Sequence, residues 1–358
     1  MLSSILCAEI SFVQNFIFKL YYQLNPIEYQ HTMKLFPPLF LALFIATLIT
    51  TIPSTFAKEA IKTTDKNSLL DSFKVTKVAE HTWAILGPTG QPSVSNKGFM
   101  NNPAFVITDK SVVVIDPGSS INVGRSLLKR IKEKTDNPVT HVFNSHVHGD
   151  HWLGNHAMIE AYPDVKIYAH PEMIIEAKAG EGESWIALMK NLTEGATKET
   201  KAIYPNISLK DGQEIKVDNI TFKAHLSKKA HTKTDAMIEI LDDQVLITGD
   251  NTFSARMPRL DDGSYKGNIK AMDMALALDI KKVIPGHGPV GGKEVLTDFR
   301  NFLTIIYDTS KALIDDDMEA FEMKPVIVKK LEKYTSWDNF DGAIGKLISV
   351  AVLEAENE

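Results

Sequence analysis

The chain has one cysteine in 358 residues, Cys7, and it precedes the part of the sequence that reads as folded. A folded part without cysteine forms no disulfide and offers no thiolate to a metal. Any transition metal must therefore be held by imidazole and carboxylate. Basic blocks are also missing. Nothing exceeds pairs such as Lys228-Lys229, and the formal net charge is -6. A nucleic-acid enzyme ordinarily carries a basic footprint, so the expected partner is a small-molecule substrate and not a nucleic acid. Long apolar runs are scarce too. The run Leu39 to Ile49, set between Pro37-Pro38 and Pro53, is shorter than the ~20 residues a membrane-spanning helix needs.

That run does fit an export signal. Met33-Lys34 supplies a charged start, Leu39 to Ile49 an apolar centre, and Ser54-Thr55-Phe56-Ala57 a small-residue cleavage site. Residues 33–57 therefore read as a signal peptide cleaved near Ala57, leaving a periplasmic or secreted protein with no stable membrane span. Residues 1–32 precede that start and read as an upstream start codon chosen in error.

With 44% apolar and 23% charged residues, the remainder has the composition of an ordinary globular protein. After a polar lead, short β-branched runs alternate with turns. Strands are expected at Val75–Val78, Thr82–Leu86, Ala104–Thr108, Ser111–Ile115 and Thr140–Asn144. Ile121–Lys134 has the spacing of an amphipathic helix. Helices are expected at Trp152–Tyr162, Pro171–Ala179 and Trp185–Leu192, with a strand at Val165–Ala169 before the last two. Strands resume at Glu214–Val217, Ile220–His225, Ala236–Leu241 and Val245–Thr248. A helix at Ile269–Leu278 and a short strand at Lys282–Ile284 follow. From Lys293 the pattern turns helical throughout: Val295–Leu313, Pro325–Tyr334 and Gly342–Ala355. This divides the chain into a catalytic domain at 72–292 and a helical extension at 293–358. The extension contains no histidine, so no metal ligand is expected from it.

The chemistry is concentrated in Asn144-Ser145-His146-Val147-His148-Gly149-Asp150-His151. Alternate residues of a strand share a face, so His146 and His148 are placed to grip one cation. Asp150 and His151 suit a second cation nearby, and hydrolytic two-metal sites keep their ions ~3.5–4 Å apart. Three further ligand types follow at expected strand ends. They are His231 in Ala230-His231-Thr232, Asp250 closing Val245-Leu246-Ile247-Thr248-Gly249-Asp250, and His287 in Gly286-His287-Gly288. The glycines around His287 permit an unusual backbone.

Taken together, HxHxDH, a histidine before a strand, GD and GHG resemble the metallo-β-lactamase superfamily over about Val75 to Gly292. The resemblance implies an α/β fold, an αββα sandwich with the site at one edge of the two sheets. It implies His146, His148 and His231 on a first metal, Asp150, His151 and His287 on a second, and Asp250 bridging them. Imidazole and carboxylate without sulfur suit zinc, two ions per chain, with manganese or iron as alternatives. Diiron relatives usually carry glutamate where His148 stands, which favours zinc. The implied activity is metal-dependent hydrolysis, with a water between the ions attacking an electrophilic carbonyl or phosphorus and Asp150 orienting it.

An ester, thioester or lactone is the favoured bond, given a ligand set resembling glyoxalase II-like members. A β-lactamase-type amide hydrolase is an alternative. Against it, the B1 class has cysteine at Asp250 and lysine at Phe253, and the B3 class lacks the bridging aspartate. An iron-dependent oxidoreductase of the same fold is a second alternative. Asp116 matches a family position behind the site. His225 rivals His231 but lies inside a strand. His156, five residues past His151, falls on another face of the helix, and His81, His141 and His170 read as solvated or capping residues. Trp152, Asn155, Arg256 and Arg259 lie near motif ends and are assigned to packing or the surface.

Overall fold

The computed structural model describes residues 69–357, so the signal-peptide and upstream-start readings of 1–57 lie outside the described residues. The strands are β1 (Val75–Lys77), β2 (Thr82–Ile85), β3 (Ala104–Ile107), β4 (Val112–Ile115), β5 (Val139–Phe143), β6 (Lys166–Ala169) and β7 (Ile207–Ser208), then β8 (Glu214–Val217), β9 (Ile220–Leu226), β10 (Ala236–Ile240), β11 (Val245–Phe253) and β12 (Lys282–His287). The helices are α1 (Ile121–Lys132), α2 (Gly149–Trp152), α3 (Asn155–Ala161), α4 (Pro171–Glu176), α5 (Gly182–Leu192), α6 (Tyr265–Leu276), α7 (Lys293–Ile314), α8 (Ala320–Lys330) and α9 (Phe340–Glu356). A π-turn at Ala177–Glu181 joins α4 to α5.

The strands form two sheets, one in the order β1 to β7 and one in the order β12-β11-β10-β9-β8. β4, β5 and β6 pair in parallel. Four layers follow from which side chains are buried together. Val113, Ile115 and Phe143 of the first sheet meet Phe222, Ile238 and Ile247 of the second between the sheets. Val112, Val114 and Val142 point the other way, onto Leu127 and Ala157 of the first helical layer. Leu246 and Val283, on the outer face of the second sheet, pack on Met272 and Phe299 of α6 and α7. β4, with the sequence Val-Val-Val-Ile, is buried throughout because helices and sheet cover its two faces.

The C-terminal helices do not form a separate core. Ile327 of α8 and Ile344 and Ile348 of α9 belong to the same apolar cluster as Leu246 of β11 and Phe299 of α7. No described helix is long and apolar enough to cross a membrane.

Several expected elements shift, for identifiable reasons. β5 stops at Phe143, so His146 and His148 lie on a loop rather than on a strand face. Asp116 Oδ1 draws the backbone N–H of Ser145 to 2.8 Å and pulls the chain out of the ladder. The helix expected over Trp152–Tyr162 breaks into α2 and α3 at Gly154. Its N–H bonds Gly118 O at 2.6 Å, and an added Cβ would lie 2.3 Å from Pro117 O. β11 does not end at Thr248 but continues to Phe253, with register shifts on either side of Gly249 (φ +52°). Asp250 therefore sits within an irregular strand and not at its tip. Pro325 lies inside α8, which starts five residues earlier on a capping box formed by Glu319 and Glu322.

Candidate metal centre

Five histidines and two aspartates converge where the strands end. Asp150 and His151 sit in the single-turn α2, His231 on the loop between β9 and β10, Asp250 on β11 and His287 at the end of β12. All seven are buried. Two groups emerge whose ligand atoms lie within 4.8 Å of one another: His146, His148, His231 and Asp250, and separately Asp150, His151 and His287.

Asp250 faces both groups. Its Oδ2 is 3.6 Å from His231 Nε2 and 4.0 Å from His146 Nε2. Its Oδ1 is 3.0 Å from His151 Nε2 and 3.4 Å from His287 Nε2. Asp150 Oδ2 adds contacts at 3.2 Å to His287 Nε2 and 3.5 Å to His151 Nε2.

The outer nitrogens of four rings are anchored, which aims the inner ones at a common space. His146 Nδ1 lies 3.0 Å from Ser145 Oγ, whose own hydrogen goes to Asp116 Oδ2 at 2.6 Å. His151 Nδ1 donates to Asp116 Oδ2 at 2.8 Å and His287 Nδ1 to Met100 O at 2.8 Å. His148 is turned the other way round. Its Nε2 donates to Asp262 Oδ2 at 3.1 Å, leaving Nδ1 inside, 3.0 Å from His231 Nε2.

Electrostatics agree with a ligand role. Burial pushes His146 well down and His231 to about 3, so both rings are neutral with free lone pairs. Burial alone would raise Asp250, yet the surrounding His287 and His151 hold its carboxyl well below the usual range. Asp150 is lowered in the same way, against burial, by His151 and His287.

The residues fit a metal pair. His146 Nε2, His151 Nε2, His231 Nδ1 and Asp250 Oδ1 are buried without a well-formed hydrogen bond. Each such group costs about 1–3 kcal/mol. Four in one place are a large share of the about 5–15 kcal/mol that holds a domain folded. Three of the four face the inner space, where a cation would satisfy them. His148 Nδ1 and His231 Nε2 share one hydrogen bond at 3.0 Å, and both nitrogens face the same space.

Residues 97–287 match the family model of the metallo-beta-lactamase superfamily. The chain belongs to the metallo-beta-lactamase superfamily. All seven residues fall inside that match. Among solved structures, the fold is similar to a metallo-beta-lactamase from Pontibacter korlensis at 18% identity, covering 65% of this chain and 99% of that one, with a TM-score of 0.52. It is equally similar to the metallo-beta-lactamase IND-7, at 18% identity, 65% and 99% coverage and a TM-score of 0.52. Both likenesses speak to the fold of the superfamily. No curated protein matches the sequence significantly.

The remaining sequence readings sort cleanly. Asp116 stands directly behind the site, at a backbone φ of +52°. His225 is occupied by Glu239 at 2.8 Å and takes no part. His170 caps α4 through Glu172 N, and His156 accepts from Lys201 N. Trp152 is fully buried in packing, and Asn155 pairs with Asn144. Arg259 is exposed at the cavity rim. Arg256, assigned to packing or the surface, is buried and lines the cavity together with Asp150, Asp250 and His287. Asp262 and the Met100 carbonyl escaped the sequence reading, since no spacing ties either to the histidine they hold.

Proposed function

We propose that this protein is an exported dinuclear zinc hydrolase that cleaves an ester, thioester or lactone bond of a small molecule. One observation carries the reading: Asp250 turns one carboxylate oxygen toward each of two ligand triads. His146, His148 and His231 would hold one ion, Asp150, His151 and His287 the other, with Asp250 shared. Zinc bound there would supply an acidified water and a Lewis acid for the scissile oxygen.

The chain's own groups do the rest. Asp150 reaches the cavity and would accept a hydrogen bond from the attacking water, fixing its direction. Asp116 holds His151 and, through Ser145, His146, so neither ring turns during a cycle. The cavity, of about 500 Å³, is lined by Trp185, Leu188 and Leu192 opposite the carboxylates, which suits a small partly apolar substrate. A ring stands where a carboxylate-holding lysine would serve a β-lactam: Phe253 stacks on His287 at 5.5 Å and 10°. That favours ester-type bonds over β-lactam amides.

The deciding assay is the zinc-loaded protein against a panel of thioester, lactone, aryl ester, phosphodiester and β-lactam substrates. Turnover of the first three classes is expected. Preference for β-lactam or phosphodiester, or turnover that requires iron and oxygen, would replace the reading. Export is tested separately: N-terminal sequencing of the periplasmic fraction should begin at Lys58, and residues from 1–32 at that terminus would refute it.

A further inference from the structure

Residues 254–264, between β11 and α6, form no helix or strand, yet they reach the surroundings of three of the histidines. Asp262 Oδ2 accepts from His148 Nε2 at 3.1 Å. Arg256 Nη1 stands 2.8 Å from His287 Nδ1. Ser264 donates its N–H to Ala230 O at 2.8 Å, and a Cβ added at Gly263 would lie 2.7 Å from His231 O. Irregular segments are ordinarily the more mobile parts of a fold, and Asp262 is exposed. Such a residue can orient a buried ring only if the segment carrying it is held from elsewhere.

The hold comes from α9, which lies beyond the superfamily match ending at residue 287. On the lead into that helix, Asp338 donates its N–H to Ala255 O at 3.0 Å and accepts from Met257 N at 3.1 Å. Farther along, Lys346 Nζ pairs with Asp261 Oδ2 at 2.7 Å, and Leu347 O accepts from Tyr265 Oη at 2.9 Å. Near the end of α9, Glu354 takes three hydrogen bonds. Its Oε1 accepts from Ser264 Oγ at 2.8 Å and Lys266 N at 3.1 Å, and its Oε2 from Tyr265 N at 2.7 Å.

The first N–H groups of a helix lack intrahelical acceptors, and an anion beside them meets the positive end of the helix dipole. Bonds to a carboxylate are also about twice as strong as neutral ones. Ser264 already caps α6 locally, by accepting from Gly267 N at 3.1 Å. Glu354 adds a second cap from 90 residues away. Asp262 thus lies between two clamps from one helix: Lys346 holds the residue before it, and Glu354 holds the turn after it. The helix that supplies both is itself fixed, since Ile344, Leu347, Ile348 and Ala351 are buried in one cluster with Leu246 of β11 and Phe299 of α7.

We propose that Glu354, together with Lys346, is a positioning residue that keeps Asp262 against His148, so that the C-terminal helix sets the zinc affinity of the first metal site. The proposal rests on the metal-centre reading above and gives α9 a task that capping α6 alone would not require.

The test compares Glu354→Ala, Glu354→Gln and Lys346→Met, each alone and combined with Asp262→Ala. Competition with a chromophoric chelator should show zinc affinity at least about threefold weaker in Glu354→Ala, a part of the about 10–100-fold assigned to an outer partner itself. Glu354→Gln keeps one acceptor oxygen for the cap and should recover some of the loss. With Asp262→Ala already present, Glu354→Ala should cost nothing more, because residues acting through one contact are not additive. An equal loss with and without Asp262 would mean general loosening and overturns the proposal, as does unchanged affinity in the folded variants. Lys346→Met, at an exposed position, answers by the same comparison if Glu354→Ala does not fold. If the parent protein binds no zinc, the metal-centre reading fails by itself, and the nitrogen chemical shifts of the His148 ring in the metal-free protein decide. A single Nε2–H tautomer in the parent that becomes mixed in Glu354→Gln or Lys346→Met supports the proposal; unchanged shifts overturn it.

Discussion

Asp262 Oδ2 stands 3.1 Å from His148 Nε2, and this contact turns the other nitrogen of the ring toward His231. The hydrogen bond from His148 holds the Asp262 carboxyl down at about 2, so it is ionised at any working pH. An exposed loop residue thereby orients a buried ring of the candidate metal centre.

Asp262→Ala should weaken the first metal site by about 10–100-fold, since outer partners of a ligating histidine commonly contribute that much. Competition with a chromophoric chelator measures it. Asp262→Asn keeps an acceptor oxygen and should lose less. Equal affinities in all three proteins would show that His148 is oriented by other means.

Asp250→Ala removes the carboxylate that faces both triads. Metal content should fall from about two zinc equivalents to about one, since His146, His148 and His231 alone can hold zinc with a water. Hydrolysis at neutral pH should largely disappear. Asp250→Cys should keep two ions better than alanine does. Two ions and full turnover in the alanine variant would rule out the bridge.

Gly286→Ala tests why glycine precedes His287. A Cβ there would lie 2.0 Å from Asp250 Oδ1 and 2.7 Å from the Gly249 carbonyl carbon. The Asp250 carboxylate must move, so the variant should bind less metal. It should also be destabilised by about 1–3 kcal/mol in the metal-free state, as expected for overpacking. Elemental analysis and denaturant melts read the two effects; normal values for both would show that the β11–β12 contact has room for a methyl group.

The pH dependence of stability should reverse sign with metal. Burial alone would lower His151 and His287. Asp250, Asp150 and Asp116 around His151, and Asp250 and Asp150 around His287, instead hold both above 6.5. In the metal-free protein their protonation contributes stability that is complete below about 6.5 and lost as pH rises through the raised native values. A cation on those rings needs both protons gone, so zinc binding releases protons and strengthens with pH. The melting-temperature difference between zinc-loaded and chelator-treated protein should therefore widen from about pH 6 to about pH 8. A constant difference across that range would count against His151 and His287 as ligands.

The seven ligand candidates were legible in sequence because each belongs to a short local pattern: HxHxDH, His231 ahead of a strand, Gly249-Asp250 and Gly286-His287-Gly288. The sandwich followed from the same motifs, through the superfamily they resemble. The structure agrees: Val112–Ile115 and Val245–Thr248 are buried throughout, as strands covered on both faces are. The glycines around His287 were read as backbone freedom. That holds for Gly288, at φ +90°, whereas Gly286 is required by the close approach of Asp250.

What only the tertiary structure decided depends on residues distant in the chain. The placement of His146 and His148 on a loop follows from Asp116, some thirty residues earlier, pulling Ser145 out of β5. Asp262 lies 114 residues from the histidine it holds, and Met100 O lies 187 from His287. The wall that α9 gives to the cavity, and the burial of Arg256 beside it, arise from the shared core of β11, α7 and α9. Local patterns record what a residue can do at its own position, through propensity, periodicity and ligand type. Which carboxylate meets which ring is set by packing across the whole fold, and no window of sequence contains both partners.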